Sequence, residues 1–99
     1  MKRVAPLLAL VAVLAAVMPA RGANVFQDLA GFSAKETCSC VFVAGQTDDY
    51  CRAFGQIQGY KVDVAIDHGA NLVTATYSPT VVRTARFVDG AGCTLDPIQ

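Results

Sequence analysis

The sequence predicts a small α+β domain that is held by disulfide bonds and preceded by an export segment. Residues 1–23 have the composition of a secretory signal peptide. The remaining 76 of the 99 residues, 24–99, contain all four cysteines. Their apolar residues recur first at helical and then at strand spacing. We therefore expect one or two N-terminal helices packed on a three-stranded antiparallel β-meander.

The N-terminal segment has the three parts of a signal peptide. A short basic start is followed by residues 4–18, which are apolar throughout, and by mostly small residues at 19–23. Cleavage is expected after Gly22, or after Ala20 or Ala23. The alternative is a retained membrane anchor, but this apolar run of 15 residues is shorter than the roughly 20 that cross a bilayer. The segment predicts a secreted or periplasmic protein.

The charge of the domain excludes some classes of partner. Residues 24–99 contain five Lys or Arg and eight Asp or Glu, so the formal charge is −3. Without a basic stripe, binding to nucleic acid is not expected, nor is attraction to anionic lipid once the signal is cleaved. A domain of this size buries little apolar surface, and cross-links are the usual supplement.

Two helices are expected in the first half of the domain. Apolar residues at helical spacing favour a helix over about 25–44, although the β-branched and aromatic run 37–44 also suits a strand. A second helix is predicted over about 48–57, because the Thr47 hydroxyl is a good N-cap and two acidic residues follow it. We expect Gly59 to end this helix.

Three strands are expected in the second half. Residues 61–67 alternate between apolar and polar, which predicts a half-buried strand, and turn-forming residues follow at 68–71. A second strand is predicted over 72–77 and a third over 81–88, closed by the glycine-containing segment 89–92. Short turns between consecutive strands favour an antiparallel meander.

The four cysteines are expected to form two disulfide bonds. Cys38 and Cys40 are two residues apart, so they face opposite ways on a helix or the same way on a strand, and neither geometry lets them bond to each other. Cys51 reaches Cys40 if the second helix folds back, which leaves Cys93 for Cys38. Of the three pairings we predict Cys38–Cys93 with Cys40–Cys51. The spacing lacks the paired C-x₂-C of structural zinc, so no metal is expected.

No set of residues forms a recognisable catalytic site. His68 is the only histidine and lies in a predicted turn. The acids at 48–49 are expected to serve the helix dipole. Arg83 and Arg86 are expected to pair with acids such as Asp63 across the sheet rather than to hold an anion. The serines lack both common nucleophile motifs; they are Ser33, Ser39 and Ser78. We therefore expect no enzyme activity, catalytic residue or cofactor.

Several segments, in their order along the chain, resemble a known family. Residues 34–43 read AKETCSCVFV and are followed by Gly45; the later segments are VDVAID at 62–67, VTA at 73–75, RTARF at 83–87 and GCTL at 92–95. This order resembles the N-terminal segment of secreted bacterial serine hydrolases of the β-lactamase-related group. The resemblance covers about residues 31–95 and implies an α+β layout with a Cys38–Cys93 bond, to which Cys40–Cys51 is an addition.

In that family, the catalytic serine and lysine belong to a penicillin-binding-type domain that follows the GCTL segment. This sequence ends at Gln99, so no catalytic residue is carried over. We expect a non-catalytic domain similar to the accessory N-terminal module of these hydrolases, which either stands alone or docks onto a separately encoded hydrolase. The alternative is a small secreted effector or inhibitor that binds a protein partner through a loop such as 67–71.

Overall fold

The computed structural model describes residues 24–98, so the predicted signal peptide lies outside the described residues. Two helices precede four strands, and the α+β class is confirmed. The helical elements are α1 (Val25–Cys38), a π-helical turn that continues it (Ser39–Val43), and α2 (Asp48–Phe54). The strands are β1 (Asp63–Asp67), β2 (Leu72–Ser78), β3 (Val81–Val88) and β4 (Gly92–Leu95).

The first helix runs nearly as far as predicted. The side chain of Asn24 accepts a hydrogen bond of 2.9 Å from the backbone N–H of Gln27 and so caps the start of α1. The π-helical turn ends at Val43 with a bond of 2.9 Å from the Ala44 N–H to the Ser39 carbonyl. The helix interpretation of residues 37–44 is therefore right, and the strand alternative is wrong.

The second helix starts as predicted and ends early. The Thr47 hydroxyl accepts from the Tyr50 N–H at 3.3 Å and caps α2. The helix stops at Phe54, with Gly55 as its C-cap, so the predicted end near residue 57 with Gly59 as terminator is wrong. A Cβ at Gly55 would overlap the hydroxyl of Thr37. The chain therefore passes too close to α1 at Gly55 to leave room for a side chain.

The sheet is an antiparallel meander in the order β1-β2-β3-β4. The predicted strands correspond to β1, β2 and β3, with ends that differ by at most two residues. The prediction of three strands is wrong, because β4 adds a fourth that pairs with the second half of β3. A turn makes this possible: the Ala91 N–H donates to the Val88 carbonyl at 2.9 Å, and Gly90 takes a φ of 83°.

The core between α1 and the sheet is built from small side chains. Ala30 and Ala34 of α1 are fully buried against Ala75 and Ala85 of the sheet. The largest fully buried side chain is Val73. Small residues on both surfaces let the helix lie close to the sheet. Larger apolar residues surround this contact and are only partly buried; they are Phe42, Val64, Ile66, Tyr77, Phe87 and Leu95.

The two disulfide bonds fasten opposite sides of the first helix. Cys38 is bonded to Cys93 of β4, with the Cα atoms 6.1 Å apart. Cys40 is bonded to Cys51 of α2, with the Cα atoms 5.5 Å apart. These are the two pairs that the sequence analysis favours. Helical geometry places residues two apart on opposite sides, so one sulfur faces the sheet and the other faces α2.

Candidate interaction surface

The histidine contacts an acid rather than a nucleophile. Nε2 of His68 lies 2.9 and 3.0 Å from the two carboxylate oxygens of Asp48. The ring also meets the edge of Phe42, with ring centroids 5.5 Å apart. The contact between His68 and Asp48 joins the start of α2 to the turn between β1 and β2. Both partners reach solvent, so the pair contributes little to stability.

The three serines are dispersed over the fold. Ser33 is fully buried in α1. Ser39 begins the π-helical turn, and the Ser78 hydroxyl lies 3.4 Å from that of Thr80. Among residues 24–98, no hydrogen bond joins His68 to a serine. The described part of the chain therefore does not assemble a serine–histidine pair.

The two arginines of β3 use partners that the sequence analysis missed. Nε of Arg86 donates to both carboxylate oxygens of Asp96, at 2.9 and 3.0 Å. Arg83 donates to the backbone carbonyl of Gln27 at 3.3 Å and to that of Asp96 at 3.4 Å. The prediction that these arginines pair with acids is right for Arg86 and wrong for Arg83, and Asp63 is not the partner because β1 is separated from β3 by β2.

The described residues form neither a metal site nor a membrane-spanning helix. Within 24–98, no three His, Cys, Asp or Glu side chains lie close enough together to hold a metal ion. None of the helices in the same range has both the length and the hydropathy to cross a membrane.

The most distinctive surface is an apolar face on the outside of the two helices, which we call the outer helical face. In α2 the residues at helical spacing point outward: Tyr50 is 56% exposed and Phe54 is 52% exposed, while Cys51 is buried. The sequence pattern finds these residues but does not tell which way they face. The outer helical face consists of Val25, Leu29, Phe32, Tyr50, Phe54 and Ile57.

Two depressions run along the outer helical face. The larger has a volume of about 450 Å³ and is lined mainly by Val25, Leu29, Phe32 and Ile57. The second lies beside Tyr50 and Phe54, whose rings stack with centroids 6.2 Å apart. Monomeric proteins rarely expose contiguous apolar patches unless these bind something. The outer helical face is therefore the candidate functional site.

Carboxylates border both depressions. Asp28 lines the larger depression and Glu36 lines the smaller one. Among the described residues, neither carboxylate takes part in an ion pair. An apolar surface with unpaired negative charge at its margin complements a partner surface that is apolar with basic residues around it.

The chain was compared with protein-family models, with curated proteins and with solved structures, and it matches none of them. Its class is defined by its own fold: a small α+β domain with two disulfide bonds and an exposed apolar face on its helices. The disulfides indicate an oxidising compartment.

Proposed function

We propose that this protein is a secreted or periplasmic, non-catalytic binding domain that docks onto a protein partner through its outer helical face. The observation that carries the proposal is the apolar depression between Val25, Phe32 and Ile57. Phe32 is 50% exposed. Taking a fully exposed side chain of this kind to full burial contributes about 1.5–3 kcal/mol, so covering the exposed half of Phe32 contributes about half of that. A partner that covers it therefore gains affinity.

The partner that we propose first is a hydrolase encoded as a separate chain. Two arguments support this choice. The resemblance to the N-terminal segment of β-lactamase-related serine hydrolases suggests a module that accompanies such an enzyme. The carboxylates of Asp28 and Glu36 beside the depressions favour a partner with basic residues around an apolar contact.

The test is a pull-down from periplasmic extract of the native host with three tagged proteins. These are the unmodified domain, a Phe32→Ser variant and a Val88→Ser variant. Val88 is 50% exposed, like Phe32, but lies at the end of β3. We expect the unmodified domain and Val88→Ser to recover a hydrolase, identified by mass spectrometry. Phe32→Ser should lose it, because the apolar anchor of the contact is gone.

Two results would contradict the proposal at different points. If no hydrolase is recovered by the unmodified domain, the proposed partner is wrong. If Phe32→Ser recovers the hydrolase as well as Val88→Ser does, docking does not use the outer helical face. Circular dichroism spectra of all three proteins check that the substitutions leave the fold unchanged.

A second candidate function is that of a small secreted effector or inhibitor. The turn at 67–71 is exposed throughout and is preformed. The Asp67 carboxylate accepts from the Ala70 N–H at 3.0 Å, and Asn71 takes a φ of 55°. A rigid exposed turn binds with little loss of conformational entropy. Replacing residues 68–71 should abolish partner binding under this function and leave it intact under the first.

A further inference from the structure

One edge of the sheet is only half covered. β4 pairs with residues 85–88 of β3 and reaches no further. The last backbone bond on this side runs from the Asp96 N–H to the Thr84 carbonyl at 2.8 Å. Pro97 follows, and a proline has no N–H with which to extend the pairing. The beginning of β3 therefore presents an open strand edge.

The backbone groups of Val82 point outward from this edge. The Phe87 N–H donates to the Asn71 carbonyl, so odd-numbered residues of β3 turn their backbone groups toward β2. Even-numbered residues turn theirs the other way, as the Thr84 carbonyl does. No backbone hydrogen bond joins Ile98 to Val82 within the described residues. The N–H and carbonyl of Val82 are thus available to another strand.

A polar cavity of about 220 Å³ adjoins the open edge. Its lining combines the edge itself with side chains from α1 and the chain after β4; the residues are Gln27, Pro79, Thr80, Val82, Arg83, Thr84, Asp96 and Pro97. Gln27 is only 8% exposed, and its side-chain oxygen has no hydrogen-bond partner among residues 24–98. Because this oxygen is enclosed by the fold, its missing hydrogen bond is a cost of folding that a ligand in the cavity does not reach.

The cavity also carries a positive charge that no carboxylate neutralises. Arg83 contacts two backbone carbonyls at 3.3 and 3.4 Å, and it forms no ion pair within the described part of the chain. The nearby Asp96 carboxylate is held by Arg86. A guanidinium has five N–H donors, so Arg83 retains capacity for an anionic acceptor.

We propose that the open edge at Val82 binds an extended peptide segment of a partner protein as an added strand, with a peptide carboxylate directed at Arg83. Strand addition uses the free N–H and carbonyl of Val82, and the carboxylate pairs with the guanidinium of Arg83, which has no ion-pair partner among the described residues. This site is separate from the outer helical face and goes beyond the proposed function. It does not depend on the identity of a hydrolase.

The probe is a fluorescein-labelled hexapeptide of alternating threonine and valine with a free C-terminal carboxylate. Binding is followed by fluorescence anisotropy to the unmodified domain, to Val82→Pro and to Val82→Thr. Proline removes the outward N–H of an edge position without breaking a bond to β2, whereas threonine retains it. We expect Val82→Pro to bind about threefold to tenfold more weakly and Val82→Thr to bind as the unmodified domain does.

The carboxylate is tested with the same hexapeptide carrying a C-terminal amide. We expect it to bind about tenfold more weakly, because a charge-assisted hydrogen bond is replaced by a neutral one. In NMR spectra of isotope-labelled protein, the amide signals of Val82 and Thr84 should move when the free acid is added. Phe32→Ser should bind the peptide unchanged, which separates this site from the outer helical face.

Three outcomes overturn the inference. In the first, neither peptide binds at millimolar concentration. In the second, Val82→Pro binds the peptide as tightly as Val82→Thr does. In the third, the peptide with a C-terminal amide binds as tightly as the free acid does. The first two exclude strand addition at the edge of β3, and the third excludes the contact between a carboxylate and Arg83.

Discussion

At the scale of single residues, α1 carries polar groups into the core without giving them partners. Ser33 and Thr37 are both fully buried, and neither hydroxyl has a hydrogen-bond partner among residues 24–98. The Thr37 hydroxyl lies where α1 meets Gly55. A buried hydroxyl without a partner costs about 1–3 kcal/mol of desolvation that folding does not recover.

Replacing the Thr37 hydroxyl with a methyl group should stabilise the protein. We expect Thr37→Val to raise the free energy of unfolding by about 1 kcal/mol, because the shape is kept and the desolvation cost is removed. Thr37→Ser is the control: it keeps the hydroxyl and deletes the methyl, and should lower stability by about 1 kcal/mol. Urea unfolding of the oxidised proteins measures both. A loss of stability in Thr37→Val would mean that the hydroxyl is hydrogen-bonded after all.

At the scale of elements, the contact between the two helices depends on the absence of one side chain. A Cβ at Gly55 would overlap the Thr37 hydroxyl and lie 3.1 Å from the carbonyl oxygen of Ser33. The backbone of α2 therefore approaches α1 to a distance that only glycine allows. This approach places Tyr50 and Phe54 beside α1 and so builds the outer helical face.

Adding a methyl group at Gly55 should separate the helices. We expect Gly55→Ala to lower the free energy of unfolding by about 1–3 kcal/mol, since the carbonyl of Ser33 belongs to the helix backbone and cannot move freely. Gly69→Ala is the matched control, because its Cβ would meet only the Asp67 carboxylate at 3.4 Å. Urea unfolding midpoints should differ between the two variants. Equal midpoints would contradict the close approach.

The elements differ in how far the sequence predicts them. The start of α2 is well predicted, because Thr47 caps it by a local hydrogen bond. The start of α1 is predicted from apolar spacing alone, and its cap, Asn24, is a local signal that this prediction does not use. The alternation of apolar and polar residues predicts β1, and the apolar residues of segment 81–88 predict β3. β4 has only four residues and forms because β3 pairs with it, although the Asp89-Gly90 turn before it is a hairpin signal. The end of α2 at Gly55 has a local signal, since glycine often ends a helix, but Gly59 carries the same signal and the helical spacing that runs on to Ile57 favours this later glycine.

The candidate sites were harder to predict than the fold. The spacing of Tyr50, Phe54 and Ile57 predicts that they share a helix face but not that this face is exposed. Its direction is set by Cys51, whose bond to Cys40 turns the side of α2 that carries Cys51 inward. The open edge at Val82 could not be predicted at all without β4, since an edge is defined by where its neighbour stops.

At the scale of the whole molecule, disulfide bonds compensate for a core of small side chains. Alanine and valine bury little apolar area each, so the core contributes less than one built from leucine or phenylalanine. In the chain-entropy model, the Cys38–Cys93 bond, with a sequence separation of 55, contributes about 4 kcal/mol. The Cys40–Cys51 bond, with a separation of 11, contributes about 3 kcal/mol.

Removing the disulfide bonds one at a time should show which of them contributes more to the free energy of unfolding. We expect Cys38→Ala/Cys93→Ala to lose about 4 kcal/mol of unfolding free energy and Cys40→Ala/Cys51→Ala to lose about 3 kcal/mol, because the longer loop restricts the unfolded chain more. Urea unfolding of each double variant gives the values. The opposite order would show that local packing around the bonds outweighs loop entropy. Full reduction of the unmodified protein should unfold it.

The bond between Cys38 and Cys93 also bears on resistance to proteases, which abound in oxidising compartments. It encloses the chain from the π-helical turn to the start of β4 in a single covalent ring. A protease that cuts once anywhere from Ser39 to Gly92 opens this ring but releases no fragment. Only a second cut, or a reductant, separates the pieces, so a nicked molecule keeps its parts in place.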